Sequence, residues 1–338
     1  MNTAIVLTAG FTWSGILAPT LALGGLGLLF GVLLAVANRF FSVQADPKQL
    51  KIRENLPGAN CGGCGFPGCD AFAKAVAEGK APPNGCPVSN AEQKAAVASI
   101  MGVEQDDVEP LTTFVRCQGS LDHTHVKYVY EGITDCAAAA ALADGYKACR
   151  FACLGLGNCT RVCPTGAIQV VDGLARIDQE LCISCGKCVS ACPRKIIAMV
   201  PASSRARVQC RATAKGKEVR EACQVGCIGC GICQKTCAFG AITLVDDLPV
   251  IDYEKCTGCM QCVEKCPRKC IWGDMENRRV AFVDEIHCTG CETCESACKF
   301  DAISGEKLQP HHVDPAKCTG CEQCAVACPT DAIRMIKK

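Results

Sequence analysis

The chain has 338 residues, of which 33 are cysteine, and 35 Lys and Arg against 34 Asp and Glu give a net charge of +1. That balance, with only 5% aromatic residues, offers neither a basic stripe nor a stacking platform and argues against a nucleic-acid binder. So many cysteines in a short secreted chain would mean a disulfide scaffold, but this chain is long, the count is odd, and most cysteines fall two residues apart in repeats.

Residues 1–38 carry no charged side chain, and 21–37 are continuously apolar or glycine, extended past Pro19 by Ile16, Leu17 and Ala18. About 20 such residues span a bilayer core of about 30 Å. The segment 1–40 therefore reads as a single transmembrane helix entered near Pro19. Arg39, Lys48, Lys51 and Arg53 follow at once and place the remainder on the cytoplasmic side of the cell membrane. A cleaved signal peptide ending at Ala35-Val36-Ala37 is the alternative. It lacks a basic leading region, and it would export the cysteine repeats to an oxidising space. Gly27 and Gly31 have the spacing that lets a second membrane helix approach. No ionisable residue lies within the span, so this chain alone is not expected to conduct ions.

A tether over 41–57 leads to a small domain over 58–100 with Cys61, Cys64, Cys69 and Cys86 in a C-x2-C-x4-C-x16-C pattern. Glycines 62, 63, 65 and 68 let the backbone wrap closely around an inorganic core. A four-cysteine zinc site is the alternative, but zinc more often takes two separated C-x2-C knuckles, and a [4Fe–4S] cluster is the favoured reading. A helix is expected over 70–79. Ser89-Asn-Ala-Glu92 reads as a capping box opening a second helix that ends near Gly102. The region 101–148 reads as a linker, acidic over 104–109, with a further helix over 134–145.

From there to the end the chain repeats one motif. Cys256, Cys259, Cys262, Cys266 and Pro267 form a C-x2-C-x2-C-x3-C-P run, the spacing with which bacterial ferredoxins hold [4Fe–4S] clusters. Related runs start at Cys153, Cys182, Cys227, Cys288 and Cys318. The starts are 29, 45, 29, 32 and 30 residues apart, and the long step contains an insertion over 201–222. Three two-cluster modules follow, over 149–200, 223–273 and 274–338. Between paired runs, 167–178 and 241–252 match as two short strands around a turn. The expected fold is α+β: a transmembrane helix, a small [4Fe–4S] domain and three tandem two-cluster ferredoxin-like modules. Apolar residues are too few for ordinary cores, so the clusters must supply much of the stability.

In two-cluster ferredoxins the fourth cysteine of each run serves the other cluster. Carried over by motif position, Cys227, Cys230, Cys233 and Cys266 form one set, and Cys256, Cys259, Cys262 and Cys237 its partner. The last module pairs Cys288, Cys291, Cys294 and Cys328 with Cys318, Cys321, Cys324 and Cys298. In the first module Cys182, Cys185, Cys188 and Cys163 are complete. Its other set has Cys153, Cys159 and Cys192, but Leu156 stands where a cysteine belongs. Cys149 is the nearest substitute, although Cys223 occupies the equivalent place before Cys227, where nothing is missing. With the N-terminal four this makes about seven clusters. Cys117, Cys136, Cys210, Cys223 and Cys270 stay unassigned. Cys117 and Cys210 could join Cys149 and Cys223 in an extra metal or redox site, or all could be buried structural thiols. His123, His125, His287, His311 and His312 neighbour no incomplete run. Lys187, Arg194, Lys195, Lys265, Arg268 and Lys269 are either solvated charge or an attraction for an acidic redox partner.

The membrane helix, the Asn60-Cys-Gly-Gly-Cys-Gly-Phe-Pro-Gly-Cys69 motif and the ferredoxin runs together resemble the B subunit of the Rnf complex, an ion-translocating ferredoxin:NAD oxidoreductase of prokaryotic membranes. The resemblance covers essentially the whole chain, and two extra modules make this a long version. It implies a subunit that takes electrons from soluble reduced ferredoxin and passes them to membrane and peripheral partner subunits, with flavin and NAD on other chains. The chain has no G-x-G-x-x-G after a strand, no P-loop and no catalytic triad. A relay chain of a membrane hydrogenase or formate dehydrogenase, or a stand-alone polyferredoxin, is the alternative.

Overall fold

The computed structural model describes residues 13–41, 46–104 and 109–338. Helix α1 (Trp13–Phe41) contains a window, Thr20–Arg39, with mean hydropathy 2.3 and none of it buried. Among the described residues it is the one helix long and apolar enough to cross a membrane, and Leu21, Leu23, Leu28 and Leu34 all stand exposed on it. The helix starts ahead of Pro19, earlier than the apolar run alone suggests. The first twelve residues of the expected anchor lie outside the described residues.

After it come α2 (Pro47–Glu54), α3 (Cys69–Ala77) and α4 (Ala91–Met101). α2 occupies eight residues of the stretch expected as a tether, whose residues 42–45 lie outside the described ones. It is started by Asp46, whose side chain accepts a hydrogen bond from the Lys48 amide, and by Pro47 at its first position. Ile52, Phe72, Val76 and Val97 meet in a small core between the three helices. The capping box of α4 sits one residue later than Ser89 and Glu92 suggest. Asn90 Oδ1 accepts from the Gln93 amide at 2.8 Å, and the Asn90 amide donates to Gln93 Oε1 at 3.1 Å. Gly102, with φ +70°, closes the helix. Of the acidic segment that follows, 105–108 lie outside the described residues.

The rest of the chain forms six two-stranded antiparallel sheets among the described residues. In the first stretch β1 (Leu111–Val115) precedes α5 (Cys136–Ala141), then come β2 (Ile168–Val171), β3 (Leu174–Ile177) and β4 (Ile197–Pro201). β2 and β3 make a hairpin, and β1 and β4 pair outside it. The pattern returns as β5 (Ala206–Val208), β6 (Ile242–Val245), β7 (Leu248–Ile251) and β8 (Ile271–Gly273), with β5 paired to β8 around the β6–β7 hairpin. It returns again as β9 (Arg279–Val283), β10 (Ile303–Ser304), β11 (His312–Val313) and β12 (Ile333–Lys337). The hairpin turns need two residues with positive φ. Asp172 (+49°) and Gly173 (+66°) supply them in one, Asp246 (+50°) and Asp247 (+60°) in the next.

β1 lies in the stretch read from sequence as linker, and β5 in the stretch read as insertion. Each finds its partner more than sixty residues away, where no local periodicity can announce it. The expected helix over 134–145 is shorter, because Ala143, Asp144 and Gly145 all take positive φ. The apolar cores of the three nests are thin and include cysteine. One joins Val115, Leu174, Ile196 and Ile197 to Cys153, Cys159 and Cys188.

The parts are in contact end to end. Gly63 packs on the Cys185 carbonyl so closely that a Cβ there would overlap it. At the other end Arg205 pairs with Glu322 at 2.8 Å, and the Lys299 ammonium lies 4.7 Å from the Phe239 ring centroid. A Gly63→Ala variant is therefore expected to lose about 1–3 kcal/mol by overpacking. This is read as a lower midpoint of anaerobic thermal unfolding of the intact chain, and an unchanged midpoint would show that the loop yields freely.

Candidate iron–sulfur sites

Each ferredoxin-type run starts as a loop and ends in a helix of four or five residues, so that its first three cysteines face inward around a turn. In the run from Cys227, Gly229 and Gly231 take φ of +65° and +71°, and Ile232–Thr236 is helical. A methyl group on Gly229 would lie 2.9 Å from the Asp247 carbonyl, so the loop is held against the hairpin turn. The fourth cysteine follows the helix and points toward the neighbouring run.

The result is a set of cavities of nearly one size, each edged by four cysteines. Cys227, Cys230, Cys233 and Cys266 line a void of about 340 Å³, with Cys270 beside them. Cys237, Cys256, Cys259 and Cys262 line another of about 340 Å³. Cys298, Cys318, Cys321 and Cys324 line one of about 320 Å³. No three His, Cys, Asp or Glu among the described residues converge tightly enough to hold a single metal ion. Four thiols spread around such a cavity leave room for a cluster, whereas zinc draws its sulfur ligands to about 2.3 Å from the metal.

The incomplete run is closed from an unexpected direction. Its cavity, about 380 Å³, is lined by Cys153, Cys159, Cys192 and Cys136. Cys149, the substitute that sequence distance suggests, lines a separate cavity with Cys117, Cys210 and Cys223. Cys136 reaches the site because Asn158 ties α5 to the run. Asn158 Oδ1 accepts from the Cys136 amide at 2.8 Å, and its Nδ2 donates to Asp135 Oδ2 at 2.8 Å. Asp135 in turn caps α5 by accepting from the Ala137 and Ala138 amides. The legible trace of this was the pair Asp135-Cys136 and Asn158-Cys159, a cap and its tether each beside a cysteine.

For the other expected ligands the structure gives neighbours instead of a described cavity. Burial pushes the Cys185 thiol up, and Cys163 and Cys182 are close enough to add to the shift. Thr113 Oγ1 lies 3.0 Å from Cys182 Sγ. Burial likewise raises Cys294, with Cys288 and Cys291 adding to it. Among the N-terminal four, Cys86 is part of the helical core and Cys64 and Cys69 pack against it. Asn60 Oδ1 holds the Cys69 amide at 2.9 Å. Cys61 is buried and is felt by Cys185, so this domain meets the second set of the first nest.

None of the cysteines among the described residues is paired in a disulfide. Burial drives several of the thiols upward: to about 12 for Cys159, Cys262 and Cys324, and to about 11 for Cys188 and Cys233. Ligation must therefore displace protons from neutral thiols. Cys266 and Cys227 are exceptions, lowered to about 5 and about 7 by hydrogen bonding with the Cys270 thiol, which lies 3.6 Å from Cys266 and is itself pushed up, and Cys163 and Cys291 are lowered as well. Backbone amides point at several sulfurs, among them Ala175 to Cys153 (3.4 Å), Ala241 to Cys237 (3.3 Å) and Ala302 to Cys298 (3.4 Å). Such N–H donors stabilise the extra negative charge of a reduced cluster and raise its potential.

Comparison with known proteins agrees with this chemistry. 4Fe-4S dicluster domain models match residues 146–193, 181–241, 226–271 and 281–335, and an Fe-S cluster model matches 56–88. The B subunit of the ion-translocating oxidoreductase complex of Methanosarcina acetivorans is 44% identical over 260 residues, covering 76% of this chain and 98% of that protein. The B subunit of the Na(+)-translocating ferredoxin:NAD(+) oxidoreductase complex of Acetobacterium woodii is 44% identical, covering 80% and 82%. The B subunit of the proton-translocating ferredoxin:NAD(+) oxidoreductase complex of Clostridium ljungdahlii is 41% identical, covering 72% and 87%.

A Cys136→Ala variant is expected to lose one cluster, about four iron and four sulfide per chain. Adding Leu156→Cys, which restores the regular run, should return them. Unchanged iron in Cys136→Ala would remove Cys136 from the site.

Proposed function

Because the chain belongs to the B-subunit family of ion-translocating oxidoreductase (Rnf) complexes, we propose that it is the membrane-anchored relay by which such a complex takes electrons from reduced ferredoxin toward NAD. The observation that carries the reading is the row of four-cysteine cavities in nests that touch one another. Seven sets of ligands are assigned: Cys61, Cys64, Cys69 and Cys86; Cys163, Cys182, Cys185 and Cys188; Cys136, Cys153, Cys159 and Cys192; then the two sets of each later nest as the runs pair them. Bound there, [4Fe–4S] clusters supply one-electron transfer at potentials within about −700 to +450 mV. The chain's part is to fix their spacing, to exclude water with thin apolar walls, and to aim amides at the sulfurs.

The contacts give the relay two ends. The N-terminal site is joined to α1 by α2 and rests on the Cys182 set through Gly63. That end faces the membrane subunits, on the cytoplasmic side that Arg39 and the basic residues of α2 indicate. At the far end the Cys288 set includes Cys291, one of two exposed cysteines among the described residues. An exposed ligand there suits electron entry from a soluble donor. The three nests act as two-cluster ferredoxin modules, now with β1 belonging to the first and β5 to the second.

Purified with its native partners, the chain is expected to support ferredoxin-dependent NAD reduction, and removal of residues 1–38 should abolish it while leaving the clusters in place. Intact activity without the anchor would favour a free electron reservoir. Nickel or molybdenum in the complex would favour a hydrogenase or formate dehydrogenase relay. The seven sets account for about 28 iron per chain, and a value near 8 would reject the repeat reading.

A further inference from the structure

Among the described residues, a further cavity is explained by no run. Cys117, Cys149, Cys210 and Cys223 line a void of about 350 Å³, within the 320–380 Å³ range of the four-cysteine cavities described above. We propose that these four cysteines hold an eighth [4Fe–4S] cluster, placed between the first and second modules and joining them in one relay.

The four come from equivalent places in two modules. Cys117 stands two residues after β1 and Cys210 two residues after β5, the outer strands of their nests. Cys149 and Cys223 stand four residues before Cys153 and Cys227, the first cysteines of the two runs. Each module therefore gives one cysteine after its outer strand and one before its first run. The halves are stitched together around the cavity: Gln118 Nε2 donates to Gln209 Oε1, and Thr124 and Cys223 form an antiparallel bridge.

The surroundings suit an anionic centre more than four spare thiols. The Gly119 amide donates to Cys117 Sγ at 3.3 Å, and the Ala212 and Cys227 amides converge on Cys210 Sγ at 3.5 and 3.3 Å. Two amides aimed at one buried sulfur are the pattern of a ligating thiolate. Lys147 is fully buried, and its ammonium donates to the carbonyls of Gly119 and Gly173 at 2.7 and 2.8 Å. A buried cation is costly unless negative charge stands near it, and two adjoining clusters ligated by Cys117 and Cys153 would provide that charge. Arg116 and Arg211 also line the cavity.

Ligation of a [4Fe–4S]²⁺ core here displaces one proton from each of four thiols and forms four Fe–Sγ bonds, leaving a net charge of −2. One electron received from a neighbouring module takes it to −3, and passing that electron to the next module restores −2. Both neighbours are near. Four residues of extended chain reach at most about 14 Å, which bounds the Cα separations of Cys149 from Cys153 and of Cys223 from Cys227.

The test uses the full chain purified anaerobically. Wild type is expected to hold about 32 iron and 32 sulfide, four of each beyond the seven sets above. Cys117→Ala and Cys210→Ala should each lose four iron, and the double variant should lose the same four, because both serve one cluster. Cys210→Ser, which keeps an oxygen ligand, should retain the iron and alter the electron paramagnetic resonance spectrum of the reduced chain. Wild type at 28 iron with a spectrum unmoved by Cys210→Ser overturns the proposal, as does one zinc per chain lost in Cys210→Ala. The seven-site relay would survive either result, since none of its ligands is touched.

Discussion

Ligation of sulfur to iron is the constraint on which every other feature of this chain depends. Each nest offers only two two-stranded sheets, helices of a turn or so, and a core of small aliphatic residues interleaved with cysteine. Isolated two-stranded sheets are marginal in water, and these cores would not hold them. Most of the shifted thiols are pushed up by burial, so four of them facing a void contribute little until iron replaces their protons. Folding and cluster loading are thus one process. The glycines at positive φ, the hairpin turns built on Asp residues and the short helices are all ways of bringing four sulfurs to a cavity without side chains intervening.

What could be read in the sequence was what is local. The C-x2-C-x2-C-x3-C runs announce themselves because three ligands lie within seven residues, and the hairpins because Asp172-Gly173 sits between alternating stretches. The apolar N-terminal helix is legible for the same reason: seventeen apolar or glycine residues in a row, 21–37, need no partner to be recognised. Cys136 was not legible. It lies beyond β1 and ahead of its run, brought in by Asn158, and Cys149 is nearer in sequence yet turns the other way. β1 and β5 were hidden because a strand of three to five residues has meaning only beside its partner. The shift of the capping box from Ser89 to Asn90 is smaller in kind: both residues are good caps, and the choice is made by Gln93 reaching back to the Asn90 amide.

The joints between parts differ in a way that bears on electron flow. The N-terminal domain meets the first module through Gly63 on the Cys185 carbonyl, so the joint is formed by the ligand loops themselves. The second and third modules meet near Cys259 and Cys321, which are close enough for Cys321 to oppose charge on Cys259. Phe239 and Phe300 tilt together at the same joint, with 6.2 Å between ring centres. At both joints ligand-bearing loops face each other and no further group is needed.

The joint between the first and second modules is built otherwise. The runs there are separated by the long 45-residue step, and what lies between their cavities is the wall made by Cys117, Cys149, Cys210 and Cys223. Were those thiols merely packing, four valines or alanines would serve as well, and two amides would not be spent on the sulfur of Cys210. A buried lysine would also be a poor choice at such a wall, since its ammonium finds only carbonyl oxygens as direct partners. Ligated, the same residues form a continuous path, and the step in spacing that breaks the sequence repeat becomes the place where the relay is joined.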